Sequence, residues 1–201
     1  MPSRGIDASG GGADGDRERA RRLQRGMLVA SGELGYSRVT VGEVVTRAET
    51  TTEEFERRFS GLQECFGRAY EMEAKILCDR ILRAGAGQAT WREGFRAALL
   101  ELARYAEDNP ILAKALLLEV HLAGGEAIVH RTEIFERLSY ALDSARRETG
   151  SRHSPPPLTA LFLVGAIEAI FVSHLARQKP GEILRVIPEL ERLVADFYFG
   201  R

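Results

Sequence analysis

The chain has 201 residues, of which 44% are hydrophobic and 28% charged, enough to enclose a sizeable core in one or two small domains. With 28 basic against 29 acidic side chains the net charge is −1, so no overall basic excess announces a nucleic-acid partner. The two cysteines, Cys65 and Cys78, lack CxxC or metal-ligand spacing, which excludes a disulfide framework and fits reduced, packed thiols in a cytoplasmic protein.

Residues 1–15 carry Gly10-Gly11-Gly12 and scattered acids and are expected to form a disordered arm, with no signal peptide. From Asp16 onward the chain reads as helices between short breakers, without β-alternation of useful length. A first helix over 16–34 places Leu23, Met27, Ala30 and Leu34 on one face, and Gly35-Tyr36 follow it. Thr40 and Glu43 fit a capping box, with Val39 and Val44 as its hydrophobic staple. Val41, Val44, Val45 and Ala48 then give helix two, 41–48, a single apolar face. A second cap, Thr51 with Glu54, opens helix three over 52–59, where Phe55 and Phe59 lie one turn apart. Two short helices joined by a tight turn make a helix-turn-helix unit, whose second helix can enter the major groove of DNA.

Helix four runs from about 62 to 84 and ends at Gly85-Ala86-Gly87. Thr90 and Glu93 form a third capping box, after which Trp91, Phe95, Ala98, Leu102 and Tyr105 step by four and three along one buried face of helix five. Asn109-Pro110 stops that helix and starts helix six, 110–123, which Gly124-Gly125 ends. Helix seven, 126–149, has Ile134, Leu138, Ala141 and Ala145 as its inner stripe. After the polar, proline-rich break at 150–157, Ser154 is expected to cap helix eight, 155–177. Residues 158–175 are apolar around most of the helix with Glu168 near the middle, the pattern of a central or interface helix rather than a membrane span. Helix nine carries Ile183, Ile187, Leu190, Val194 and Phe197 at the same four-three step, and Pro188 within it predicts a kink or a delayed start.

Between residues 17 and 60, nine arginines face seven glutamates. Four of those arginines fall within 17–22, either as a solvated helical turn or as an arm along phosphates. Glu126 and His130 stand four apart, which can bind metal, but two ligands alone do not make a site. Nothing reads as a nucleophile elbow, a phosphate loop or a paired-carboxylate centre, so no enzyme activity, metal or cofactor is expected.

The head segment resembles the DNA-binding head of the tetracycline-repressor (TetR) family of bacterial transcriptional regulators. Thr40, Val41, Val44, Ala48, Thr51, Phe55, Phe59, Glu64 and Phe66 stand at the matching places of that family's pattern. Glu49 stands instead of the family's turn glycine, a place that often requires positive φ, where a side chain costs on the order of 1 kcal/mol. Glu53, Glu54, Glu56, Arg58 and Leu62 replace the usual glycine, threonine, tyrosine, histidine and lysine. Carboxylates on a helix that approaches a polyanion must face away or meet a cytosine amino group.

The resemblance implies an all-α, nine-helix fold: a head over 16–61 and a ligand-binding and dimerisation body over 62–201. It implies a cytoplasmic homodimer that binds a palindromic double-stranded operator, most often as a repressor, and leaves it when a small apolar effector binds, with helix four as the lever. Thr40, Arg47, Thr51, Thr52, Arg57 and Arg58 would contact DNA. Phe95, Leu99, Leu116, Glu119, His121, Phe162 and Glu168 would line the effector pocket. His121 also reads as an ordinary core or surface histidine, and Glu168 equally as an inter-subunit hydrogen-bonding group. Leu161, Ile170, Ile187, Leu190, Val194 and Phe197 would form the dimer interface. The glutamates of helix three leave a second reading open, a helical dimer that has lost orthodox DNA binding and holds a ligand or a protein partner.

Overall fold

The computed structural model describes residues 10–150, 153–177 and 182–199. Among these the chain is helical, with nine helices: α1 (Gly10–Leu34), α2 (Val41–Arg47), α3 (Thr52–Arg58), α4 (Leu62–Ala86), α5 (Trp91–Asp108), α6 (110–123), α7 (Gly125–Glu148), α8 (Thr159–Ala176) and α9 (Ile183–Tyr198). A short 3₁₀ turn, Tyr36–Arg38, links α1 to α2.

The head is closed by local chemistry. Thr40 and Thr51 cap α2 and α3 as expected, their hydroxyls accepting from the Glu43 and Glu54 N–H groups. The return half of each box is diverted, because the Glu43 and Glu54 carboxylates bind arginines instead. Only at α5 is the box complete, with Thr90 and Glu93 bonded in both directions. The turn after α2 places Glu49 at φ 51°, the one positive-φ residue other than glycine among those described. The N–H groups of Glu49 and Thr50 reach back to the carbonyls of Thr46 and Val45, the paired bonds of a Schellman ending, which glycine normally serves.

One hydrophobic core runs from Leu23 and Met27 of α1 through Val44, Phe55 and Phe59 of the head to Phe66 of α4 and Leu116 of α6. Two smaller clusters continue it along the body. Leu99 and Ala103 pack with Phe171, Ile183, Ile187 and Leu190, and Ala160 and Leu163 pack with Val194, Tyr198 and Phe199. Each such leucine or phenylalanine contributes on the order of 2 kcal/mol by leaving water. Both cysteines are free and buried, and burial pushes the Cys65 thiol up to about 12.

Several details differ from expectation. Helix α1 starts at Gly10 instead of Asp16, taking in part of the segment read as a disordered arm, while residues 1–9 lie outside the described residues. Helix α8 starts at Thr159, because Pro155, Pro156 and Pro157 bar their predecessors from helical backbone; Ser154 therefore caps nothing. Asn109 precedes α6 without a capping bond, its side-chain amide donating back to the Tyr105 carbonyl. Helix α6 contains one wide π turn, Ala115–Glu119. Pro188 lies inside α9, which starts without delay at Ile183.

Candidate nucleic-acid interface

Helix α3 buries Phe55 and leaves Thr52, Glu53, Glu56 and Arg57 facing solvent. At its rear, Glu54 is a hub. Its carboxylate accepts from Arg58 Nε at 2.7 Å, pairs with Arg57, and lies 3.2 Å from Arg19 Nε of α1. Asp16 of α1 closes the ring, 2.9 Å from the Arg58 guanidinium and 2.5 Å from that of Arg19. Arg57 and then Arg58 hold the Glu54 carboxyl below its usual range, and Arg19 and Arg58 do the same for Asp16. The Glu53 carboxyl is also lowered, by its own backbone N–H and by the Thr51 hydroxyl.

This geometry sorts the six residues expected at DNA. Thr40, Thr51 and Thr52 are exposed at the N-termini of α2 and α3, and the Arg57 side chain is 61% exposed. Arg58 is not a free reading group: its side chain is 16% exposed and occupied by Glu54 and Asp16. Arg47 is likewise held, donating to Glu33 at 2.8 Å and to the Glu43 carboxylate and carbonyl. Both tie the unit together, Arg58 linking α3 to Asp16 of α1 and Arg47 linking α2 to Glu33 of α1. Asp16 and Arg19 belong to this machinery, and the sequence reading missed them. Only the run of arginines in α1 pointed that way, and it reads equally as a solvated turn.

The residues expected to line one pocket do not share one. Phe95 and Leu99 sit in the α5–α8–α9 cluster, and Leu116 belongs to the main core. His121 is exposed and Phe162 is 71% exposed, so neither lines an interior. Glu119 is buried but accepts the Tyr36 N–H at 2.8 Å. Glu168 has its partner within the chain, Arg131 of α7, whose Nε donates at 2.8 Å while a second guanidinium nitrogen meets the other carboxylate oxygen. Glu168 thus has a charged partner inside its own subunit. The Phe135 ring lies 4.0 Å from the Arg131 guanidinium carbon, and Tyr70, whose hydroxyl burial pushes well up, faces the pair from α4. Two adjoining clefts of about 440 and 320 Å³ follow α4 and α7, sharing Glu133 and Arg137 as lining.

The expected dimer stripe divides in the same way. Ile187, Leu190 and Val194 are buried inside the subunit, where α9 packs on α5 and α8, so they are not available to a partner. Ile170 is half-buried, and Leu161 and Phe197 face out at 39% and 68% exposure. Around them Leu158, Phe162, Leu184 and Leu193 extend an apolar surface over α8 and α9. Helix α8 is long and apolar enough to cross a membrane by length and composition, yet within the subunit only Ala160, Leu163, Phe171 and Leu175 are buried.

The sequence matches no protein-family model and no curated protein. The fold does have relatives among solved structures. The transcriptional regulator FadR from Bacillus subtilis in complex with stearoyl-CoA superposes with a TM-score of 0.75 at 11% identity, over 89% of this chain and 97% of that one. The fatty acid degradation regulator FadR from Bacillus halodurans gives 0.73 at 11% identity, over 86% and 95%. A TetR family transcription regulator from Marinobacter aquaeolei VT8 gives 0.70 at 13%, over 90% and 97%. The fold is that of the TetR-family regulators, head and body together.

Proposed function

We propose that this chain, folded as TetR-family regulators are, is a homodimeric DNA-binding transcriptional regulator, with a head over 16–61 and a ligand-binding, dimer-forming body over 62–201. The observation that carries the reading is the α2–α3 unit: both helices capped at exposed N-termini, and α3 locked against α1 so that Thr52 and Arg57 point outward. Helix N-termini and threonine hydroxyls suit phosphate oxygens, so Thr40, Thr51 and Thr52 would fix the register on the duplex. Arg57 would reach phosphate or guanine, while Arg47 and Arg58 act by orientation.

The apolar surface of α8 and α9 supports a two-fold dimer through Leu158, Leu161, Phe162, Leu184, Leu193 and Phe197, which would space the heads about one DNA turn apart or a multiple of it. Such a protein works in the cytoplasm and is no enzyme. As a repressor it would be released when a small, mostly apolar effector shifts the head spacing. The stearoyl-CoA bound to a protein of the same fold makes long-chain acyl thioesters the first effectors to try.

Footprinting on the DNA upstream of its own gene tests the reading. Two protected patches related by a palindrome, with affinity falling steeply as salt rises, support it. No protection at low salt, with or without acyl-CoA, removes it. One observation favours a second reading in that event: Glu53 and Glu56 face outward on α3 while Arg47 and Arg58 are bound to carboxylates, the surface of a dimer that holds a ligand or protein rather than DNA.

A further inference from the structure

The joint between head and body carries a feature that the DNA-binding reading does not use. Ser31 and Glu119 are the only polar residues in the core among those described, and Glu119 is the only acid there. Burying a carboxylate is costly unless its oxygens are bonded. No cation lies within ion-pair distance of Glu119 among the described residues. Its partner is the backbone N–H of Tyr36, 83 positions earlier, in the turn that joins α1 to α2.

Three further contacts converge on the same joint. Gly35, at φ 84°, leaves open a space that a Cβ would fill 3.7 Å from Glu119 Oε2 and 3.9 Å from the Arg38 guanidinium. One turn earlier, α1 crosses α6 so closely that a Cβ on Gly32 would lie 2.1 Å from the Ile111 carbonyl oxygen. The Tyr36 ring meets Phe66 of α4 edge-on, centroids 5.3 Å apart. Glu119 closes the π turn of α6, and the extra residue of such a turn rotates all that follows by about 100° relative to an unbroken helix. The wide turn therefore sets which way Glu119 points. The head is not carried by α4 alone, since α6 holds it at Gly32 and at Tyr36.

We infer that Glu119 is a positioning residue that fixes the angle of the DNA-binding head on the body, through the Tyr36 N–H, and that α6 is a second strut able to pass a change in the body to the head. For its consequence at an operator the inference rests on the DNA-binding reading; for the joint itself it does not. An angle fixed by one acceptor atom depends on where that atom sits. Glu119→Gln keeps a carbonyl oxygen in reach, Glu119→Leu removes it, and Glu119→Asp draws it back by about one C–C bond, ~1.5 Å.

The test measures head-to-body distance within one chain by electron spin resonance. Nitroxides are placed at Thr46→Cys of α2 and Arg104→Cys of α5, both exposed, and labelled chains are diluted into unlabelled ones. The native cysteines are buried with raised thiol pKa values and stay unlabelled. Wild type and Glu119→Gln are expected to give one narrow distance, and Glu119→Leu a broad or displaced one with the head still folded. Should the leucine variant fail to fold, Glu119→Asp must displace the distance. A folded Glu119→Leu, or a Glu119→Asp, with the wild-type distribution overturns the inference. On DNA, binding to a single half-site should not change, while Glu119→Leu should lose about five- to tenfold of the preference for the best half-site spacing. Spacing preference kept in full by Glu119→Leu also overturns it. Wild type that binds no DNA while the distances behave as expected removes the regulator reading and leaves the joint standing.

Discussion

Replacing Glu49 by glycine should stabilise this protein, and the reason can be worked from the turn after α2. At φ 51° a side chain at Glu49 crowds its own carbonyl, a cost of about 1–2 kcal/mol that glycine does not bear. Against this, glycine loses more backbone freedom on folding, about 0.5–1 kcal/mol. The two bonds of the ending, Glu49 N–H to Thr46 and Thr50 N–H to Val45, are made by backbone and survive the change. The Glu49 side chain is exposed and in no ion pair among the described residues, so its loss costs little. The net gain is about 0.5–1 kcal/mol, which for a chain of this size raises Tm by about 1–4 °C. Urea unfolding at one fixed protein concentration should show a higher midpoint and an unchanged slope. Glu49→Ala, which keeps the Cβ and removes only the carboxylate, should stay within about 0.5 kcal/mol of wild type. A glycine variant no more stable than the alanine variant would refute the strain argument.

Acid should loosen the head. Arginine partners lower the Asp16 and Glu54 carboxyls in the folded state, so the stability they contribute is complete above the ordinary carboxylate range and is lost as pH falls through the lowered values. Amide exchange in α3 should accelerate there before that of α5, and Glu54→Gln should remove most of the difference at neutral pH. Glu168→Leu leaves the Arg131 guanidinium half-buried without its partner and should cost about 3 kcal/mol in denaturant unfolding, whereas Arg131→Met with Glu168→Leu should recover most of it. Phe162→Glu with Phe197→Glu should turn the proposed dimer into a folded monomer by sedimentation velocity; a dimer that persists would place the interface elsewhere. Gly32→Ala drives a methyl into the Ile111 carbonyl and should destabilise by at least about 2 kcal/mol, read as a lowered urea midpoint.

What could be read from the sequence was local. Thr40, Thr51 and Thr90 announced their helices because a hydroxyl capping an N–H three residues on is a short-range bond. The strain at Glu49 was expected from the resemblance, which puts a turn glycine at its place, and the structure gives it φ 51°. The four-three stripe of α9 marked one apolar face, but periodicity does not say what covers it: α5 and α8 cover Ile187, Leu190 and Val194 within the subunit, while Phe197 stays exposed. Arg58 meets Glu54 one turn away, but its second partner, Asp16, and the partners of Glu168 and Glu119 lie 42, 37 and 83 positions away, and no pattern in the chain encodes those long-range pairings. Composition says nothing of pairing either: arginines that look like a phosphate grip meet carboxylates of their own helix and of α1.

The uncovered surface of α8 and α9 has a bearing on dosage. On the proposed dimer, a chain leaving the ribosome shows Phe162 and Phe197 to water until it meets a second copy, and two joined heads exist only above the dissociation constant of that pairing. Below it, occupancy of a palindrome rises with the square of chain number. A gene controlled by such a protein would respond to a modest change in regulator level as to a threshold, and a body mutation that weakens pairing would be felt at the promoter without touching the head.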